Sequence, residues 1–166
     1  MKNSDAVVKT DQTMQLPDGR TLAFAEYGSA AGNVLVACHG YPGSRLEGVA
    51  FAAHAARENV RVISLDRPGY GRSSFQDHRS FLDWPNDLLA LTEHLRIDRF
   101  AVVGVSGGAP YALACAYRIP ERLISCGVVS GIGPLMIGAE RPCIGVLGVA
   151  WPLLSARVSL GVVGGP

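Results

Sequence analysis

Short apolar runs alternate with amphipathic stretches along most of the chain. Four of the runs are rich in valine, isoleucine and leucine and are bounded by glycine or polar residues: NVLVACHG, VRVISLD, RFAVVGVS and LISCGVVSG. Continuous apolar runs of this length are typical of strands that are buried on both faces. We therefore predict four buried strands, with loops after Cys38, Leu65, Val105 and Val129.

The stretches between these runs carry apolar residues at helical spacing. The segment 44–58 repeats apolar positions three and four residues apart, and the segment after Asp83 does so with a tryptophan and three leucines. Asp83 is a suitable N-cap for that second helix. A third helix is predicted from near Gly107, and Pro120 follows its end. Strands and helices alternating in this way predict an α/β fold, a mostly parallel sheet with helices on both faces.

The beginning and the end of the chain do not follow this alternation of strands and helices. TMQLPDGRTLAFAEYG contains two extended runs joined through Asp18 and Gly19, which predicts an antiparallel N-terminal hairpin. We assign residues 1–12 to a polar tail and residues 13–132 to the core. Residues 133–166 are rich in glycine and apolar residues, and we find no further clear strand in them.

Composition narrows the class of protein. A chain of 166 residues with 48% hydrophobic residues is long enough for one domain with a sizeable core. A net charge of +1 provides no basic field, so we exclude nucleic acid as a partner. The N-terminus lacks the pattern of a secretory signal, and no apolar stretch is long enough for a transmembrane segment. We therefore expect a cytoplasmic protein.

The four cysteines carry no metal signature. Cys38, Cys115, Cys126 and Cys143 lie in apolar or small-residue stretches, without the CxxC spacing of metal sites. We interpret them as buried thiols, and we predict neither a metal site nor a cofactor.

The candidate chemistry lies in VVGVSGGAPYA, where the pattern Gly104-x-Ser106-x-Gly108 follows a valine-rich strand and precedes a small-residue helix. A non-glycine residue in a strained turn brings the residues two positions away very close, so these must be nearly free of side chain. Such a turn presents Ser106 as a nucleophile and leaves the N–H of Gly107 free to donate to an oxyanion. The simpler alternative is an ordinary glycine-rich turn containing a serine, which the combination of strand, spacing and helix disfavours.

A dinucleotide-binding loop is the second alternative for these glycines. Its G-x-G-x-x-G pattern fails in both candidate loops. Ser74 occupies the position of the third glycine after Gly69 and Gly71, and Ser106 occupies that of the second glycine after Gly104.

Three motifs resemble the α/β-hydrolase fold superfamily: HGYPGSR from His39, LDRPGYGRSS from Leu65 and GVSGGAPYALA from Gly104. They stand in the order of the family and on the strands where it has them. The resemblance covers residues from about 13 to 133 and implies an incomplete α/β-hydrolase fold. It also implies that residues 133–166 begin an apolar cap or lid over an acyl pocket.

Carried to matching positions, the resemblance implies that Ser106 is the nucleophile of a serine hydrolase acting on carboxylic esters or related acyl compounds. The backbone N–H groups of Tyr41 and Gly107 would form the oxyanion hole, and His39 and Gly40 would support its loop. The partner it implies is a small, apolar acyl substrate.

The loop LDRPGYGRSS resembles the family's loop at the rim of the pocket. For its charged residues Asp66, Arg67 and Arg72 we favour a hydrogen-bonded structural role over one in the chemistry.

A serine nucleophile needs a base, and the base needs an orienting acid. The family order is serine, acid, histidine. No histidine follows Ser106, and the acids that follow it are Glu121 and Glu140. Three earlier histidines are better explained as solvated or locally hydrogen-bonded: His54, His78 and His94. We interpret His39 as loop support, expect the acid and the base to lie beyond this sequence, and expect the isolated chain to be nearly inactive.

Two consequences and two alternatives follow. Without later strands, the edge of LISCGVVSG and part of the sheet face on the side of helix 44–58 should be open, which favours self-association.

A catalytically incompetent or non-enzymatic partner-binding domain is one alternative function. A cofactor-free haloperoxidase-like activity, which also uses a serine elbow, is another. Dehalogenases and epoxide hydrolases of the family carry aspartate at the position of Ser106, which argues against those activities.

Overall fold

The computed structural model describes residues 6–132 and 149–152. It contains seven strands, β1 (Ala6–Gln15), β2 (Thr21–Ser29), β3 (Asn33–Cys38), β4 (Val60–Leu65), β5 (Phe100–Val105), β6 (Leu123–Val129) and β7 (Val149–Pro152). The described α-helices are α1 (Val49–Arg57), α2 (Trp84–His94) and α3 (Ala109–Arg118). All seven strands form one sheet in the order β1-β2-β4-β3-β5-β6-β7.

The predicted fold class is confirmed. Strands β4, β3, β5 and β6 are parallel neighbours, and they end at the four predicted positions. Strands β1 and β2 form the predicted antiparallel hairpin, and β2 continues antiparallel onto β4. Gly19 in the hairpin turn has a φ of +84°, a conformation that glycine adopts without the cost of a Cβ atom.

Helices cover both faces of the sheet. The larger core lies between the sheet and helices α2 and α3, and Trp84, Leu88 and Leu91 of α2 are fully buried in it. The smaller core lies under α1, where Ala55 packs against buried residues of β2, β3 and β4. Asp83 occupies the N-cap position of α2 as predicted, but its side chain makes no capping hydrogen bond there and instead accepts from the N–H (2.7 Å) and the hydroxyl (3.0 Å) of Ser80.

The first strand begins inside the stretch that we assigned to a polar tail. Strand β1 starts at Ala6, and its pairing with β2 is interrupted by a bulge between Lys9 and Gln12. This is an edge strand held by backbone hydrogen bonds, so its side chains need not be apolar. Polarity alone therefore misled the assignment of residues 6–12.

The far side of the sheet also differs from expectation. Strand β7 pairs antiparallel with β6, from Val128↔Val149 to Ser125↔Pro152, so the edge of β6 that we expected to be open is paired there. The apolar segment therefore contains a strand that we did not predict. The rest of the expected cap, residues 133–148 and 153–166, lies outside the described residues.

The sheet face on the side of α1 is covered unevenly. Val105 at the end of β5 is only partly buried, and Val129 at the end of β6 is 51% exposed. This incomplete cover was expected. Self-association through it stays a prediction, which light scattering on the purified chain would test.

Three of the cysteines are placed as predicted. Cys38, Cys115 and Cys126 are free and buried, while Cys143 lies outside the described residues. Burial raises the pKa of the Cys38 thiol to about 12, so this thiol stays protonated and unreactive at neutral pH. No group of His, Cys, Asp and Glu side chains within the described ranges is arranged to hold a metal ion. No helix in that part of the chain has the length and apolarity to cross a membrane.

Candidate active site

Ser106 lies at the turn between β5 and α3 with a φ of +49°, the left-handed region that side-chain-bearing residues seldom adopt. The next residues form one tight 3-10 turn, Ser106–Gly108, which leads directly into α3. A Cβ atom on Gly104 would lie 2.7 Å from the Cα of Ala109, and one on Gly108 would lie 2.8 Å from the O of His39. The backbone around Ser106 is therefore too tightly packed for side chains at these two positions.

The loop after β3 lies against this turn. A Cβ atom on Gly107 would be 3.4 Å from the backbone N of Tyr41, and one on Gly40 would be 3.6 Å from the Cβ of Ser106. Among the described residues, neither the N–H of Tyr41 nor the hydroxyl of Ser106 takes part in a hydrogen bond. The structure thus brings Ser106, Gly107 and the N–H of Tyr41 into one small region at the carboxyl edge of the sheet.

His39 is buried at the end of β3, and both of its ring nitrogens are occupied. Nδ1 is 2.9 Å from the O of Gly40, and Nε2 is 3.2 Å from the backbone N of Arg67. A carbonyl oxygen only accepts and an N–H only donates, so Nδ1 carries the proton and Nε2 accepts. Burial lowers the pKa of His39, an effect partly offset by the bond to Gly40. His39 is therefore a neutral, fully bonded support of its loop, with no nitrogen free for Ser106.

Arg67, at the start of the loop after β4, reaches both loops at the site. Its Nη2 donates to the O of Gly40 at 2.7 Å, and its Nη1 donates to the O of Gly107 at 3.2 Å. The guanidinium carbon lies 4.5 Å from the ring centre of Tyr70 and 4.8 Å from that of Tyr111. Arg67 is only 4% exposed.

Sequence reasoning assigned this loop a structural role without finding the partners of Arg67. Asp66 fits the structural interpretation, because its buried carboxylate accepts from the backbone and Nη1 of Arg45 and from the backbone of Arg72. For Arg67, the order of the strands in the sheet was the signal that could have identified its partners. Strands β3 and β4 are neighbours, so a residue following β4 lies beside His39 and Gly40.

Sequence reasoning also did not identify Glu47, a second residue that holds the loop of Gly40. Glu47 lies in a short 3-10 turn, and its Oε2 accepts from the N–H of Gly40 at 3.0 Å. Side chains therefore bind both the N–H and the carbonyl of Gly40. No motif marks Glu47, because the contact depends on how the loop folds back.

The remaining histidines and acids lie elsewhere. His54 is on α1, His78 is exposed beside Asp77, and His94 is in the last turn of α2. None of them has a described contact with Ser106. Glu121 is exposed in a 3-10 turn before β6, and Glu140 lies outside the described residues. The described part of the chain thus brings Ser106 and the backbone N–H of Tyr41 into one region, and none of its histidines has a described contact with Ser106.

Comparison with known proteins agrees with this architecture. Residues 33–139 match the model of the alpha/beta hydrolase fold family. The chain is 35% identical over 116 residues to the dihydrolipoyllysine-residue acetyltransferase component of an acetoin cleaving system from Pseudomonas putida, covering 69% of this chain and 31% of that protein. It is 28% identical over 125 residues to a bifunctional esterase/perhydrolase from Acinetobacter calcoaceticus, covering 74% of this chain and 45% of the relative.

Solved structures give the same result for the fold. A hydrolase from Pseudomonas aeruginosa superposes with a TM-score of 0.68 at 22% identity, covering 75% of this chain and 48% of that one. The chain spans less than half the length of each of these relatives. The family match covers well over half of this chain, and it includes the loops that carry His39, Arg67 and Ser106. The chain belongs to the alpha/beta hydrolase fold family.

Proposed function

We propose that this chain carries the nucleophile and the oxyanion hole of a serine hydrolase that acts on carboxylic esters or related acyl compounds. Ser106 is the nucleophile, and the N–H groups of Tyr41 and Gly107 bind the oxyanion. The observation that carries the proposal is the strained φ of +49° at Ser106, held against a loop whose Tyr41 N–H is unbonded among the described residues. Strain of this kind persists where the surrounding structure enforces it.

The proposed reaction proceeds in two steps. In the first, Ser106 Oγ bonds to the acyl carbon, a base takes the hydroxyl proton, and the alcohol leaves with a proton. In the second, water attacks the acyl-serine, which releases the acid and restores the hydroxyl. The negative charge on the carbonyl oxygen faces the two N–H groups, each worth on the order of 3 kcal/mol in comparable sites.

Aromatic side chains around the site favour an apolar substrate. The rings of Tyr41 and Tyr70 lie 6.4 Å apart, and Phe81 meets Tyr111 edge-on at 5.0 Å. Tyr41 lies beside Gly107 and is 70% exposed, so apolar surface is available next to the proposed oxyanion hole. An acyl chain would cover this surface and gain from its removal from water.

The proposed function is tested by labelling with a fluorophosphonate probe, with and without added imidazole as an external base. Because none of the described histidines contacts Ser106, we expect little labelling of the 166-residue chain alone and an increase of at least ~10-fold with imidazole. Ser106→Ala should abolish labelling. Ser130→Ala is the matched control, since Ser130 is also a serine with a φ of +49°, at the end of β6.

The outcomes separate the proposals. Imidazole-dependent labelling that survives Ser106→Ala would overturn the assignment of the nucleophile. A folded wild-type chain that is not labelled even with imidazole would favour a non-enzymatic, partner-binding domain. Strong labelling at Ser106 without imidazole would keep the nucleophile and overturn the expectation that the chain lacks its base.

A second candidate activity is perhydrolysis. One relative is named an esterase/perhydrolase and another, from Streptomyces lividans, a non-heme chloroperoxidase. In this reaction hydrogen peroxide replaces water and attacks the acyl-serine, which gives a peracid and the free hydroxyl of Ser106. Peracid formation from an ester and hydrogen peroxide, lost in Ser106→Ala, would support it.

A further inference from the structure

We infer that Arg67 is a positioning residue that fixes and polarises the two oxyanion-binding loops. The inference rests on the proposed function, and it adds a residue outside the serine turn and outside the Tyr41 loop. Arg67 is neither nucleophile nor direct donor to the substrate. It acts through the peptide groups of Gly40 and Gly107.

The hydrogen bond from Arg67 to the carbonyl of Gly40 acts on the peptide group that also contains the N–H of Tyr41. The carbonyl of Gly40 and the N–H of Tyr41 belong to the same trans peptide group and point in opposite directions. Arg67 Nη2 and His39 Nδ1 both donate to this carbonyl, at 2.7 and 2.9 Å. Hydrogen bonds in a chain polarise one another, so two donors on the oxygen make the N–H of Tyr41 a stronger donor.

The bond to Gly107 couples the second loop to the first. Arg67 Nη1 donates to the O of Gly107 at 3.2 Å, so one rigid guanidinium spans two loops that follow different strands. The planar fork fixes the separation of its two acceptors, whereas a lysine ammonium is a compact charge with no such fork. Arg67 thus helps to fix the distance between the Tyr41 and Gly107 amides, together with the direct packing of Gly108 against the backbone of Cys38 and His39.

The guanidinium of Arg67 is buried and forms no ion pair with a carboxylate among the described residues. Among the described residues its side-chain hydrogen bonds go to the carbonyls of Gly40 and Gly107 and to His39 Nε2. Its faces lie against the rings of Tyr70 and Tyr111. No carboxylate pairs directly with the Arg67 guanidinium, so its positive field favours a negative charge that forms between the two loops, against the opposing field of Glu47 at the N–H of Gly40.

Arg72 provides the contrast within the same loop. Its side chain is 53% exposed, and its guanidinium pairs with Asp11 at the surface. A substitution there changes the charge of the loop equally but touches neither Gly40 nor Gly107. Arg72→Met is therefore the matched control for Arg67→Met.

The test is a titration of the ¹⁵N-labelled chain with butyrate, whose carboxylate stands in for the oxyanion. We expect butyrate to shift the amide signals of Tyr41 and Gly107 in the wild type and in Arg72→Met. In Arg67→Met the apparent affinity should fall by at least ~10-fold. The Tyr41 amide proton should also move upfield in the free variant, a change that loss of packing alone does not produce selectively.

Arg67→Lys keeps the charge but not the fork, so we expect an affinity between those of the wild type and Arg67→Met. If Arg67→Met does not fold, judged by loss of amide dispersion, Arg67→Lys carries the test. Wild-type affinity and an unmoved Tyr41 amide in a folded Arg67 variant would overturn the inference. Butyrate that leaves Tyr41 and Gly107 unshifted in the wild type would instead count against the proposed oxyanion hole.

Discussion

The two halves of the candidate site are held in place by different physics. Around Ser106 the backbone is fixed by close approach, since Gly104 and Gly108 leave no room for a Cβ atom. Around Tyr41 the backbone is fixed by side chains, because Arg67, His39 and Glu47 bind the carbonyl and the N–H of Gly40. The first half is therefore sensitive to added volume, and the second to lost hydrogen bonds and to pH.

The largest contrast is expected from adding one methyl group to each half. A Cβ atom on Gly108 meets the backbone of Cys38 and His39, which cannot rotate away, whereas one on Gly40 meets its nearest neighbours at 3.5 and 3.6 Å. Gly108→Ala should lower the free energy of unfolding by about 3 kcal/mol or more, and Gly40→Ala by less than about 1 kcal/mol. Urea denaturation measures both, and equal losses would contradict the division between the halves.

The second contrast is in the response to pH. Burial lowers the pKa of His39 below 6.5, so the unfolded chain binds its proton at a higher pH than the folded chain does. The free energy of unfolding should therefore fall as pH drops below about 6.5, by at most about 1.4 kcal/mol per pH unit, until the folded pKa is passed.

The control for this prediction is His39→Gln compared with His54→Gln. His54 is exposed on α1, so His54→Gln controls for the substitution itself, while removal of His39 should flatten the pH slope of stability. The quantity to measure is the free energy of unfolding between pH 5 and pH 8. If the free energy of unfolding of His39→Gln depends on pH as strongly as that of the wild type, the pH dependence arises from groups other than His39.

The smallest effect concerns the strain at Ser106 itself. Glycine adopts a positive φ freely, whereas alanine keeps the strain and loses only the hydroxyl. Ser106→Gly should therefore be more stable than Ser106→Ala by about 1 kcal/mol. Thermal unfolding of the two variants measures the difference, and an alanine variant as stable as the glycine variant would mean that the turn stores no strain.

Sequence reasoning was successful where a local pattern sufficed. The ends of β3, β4, β5 and β6 were predicted correctly, since each apolar run stops at a residue suited to a turn. The glycine spacing around Ser106 indicated the strained turn for the same reason, because backbone sterics act over a few residues. Strand β7 and the first part of β1 were missed, since their placement depends on pairing with distant strands.

The sequence by itself determined the succession of strands and helices, the position of Ser106 and the burial of Cys38, because periodicity, glycine spacing and apolar runs are local properties. Only the tertiary structure decided that Arg67 joins Gly40 to Gly107, that both nitrogens of His39 are occupied, and that Glu47 binds the Gly40 loop. These contacts cross between loops that meet only because parallel strands end at one edge of the sheet. No local pattern records such a meeting, since it depends on the order of the strands.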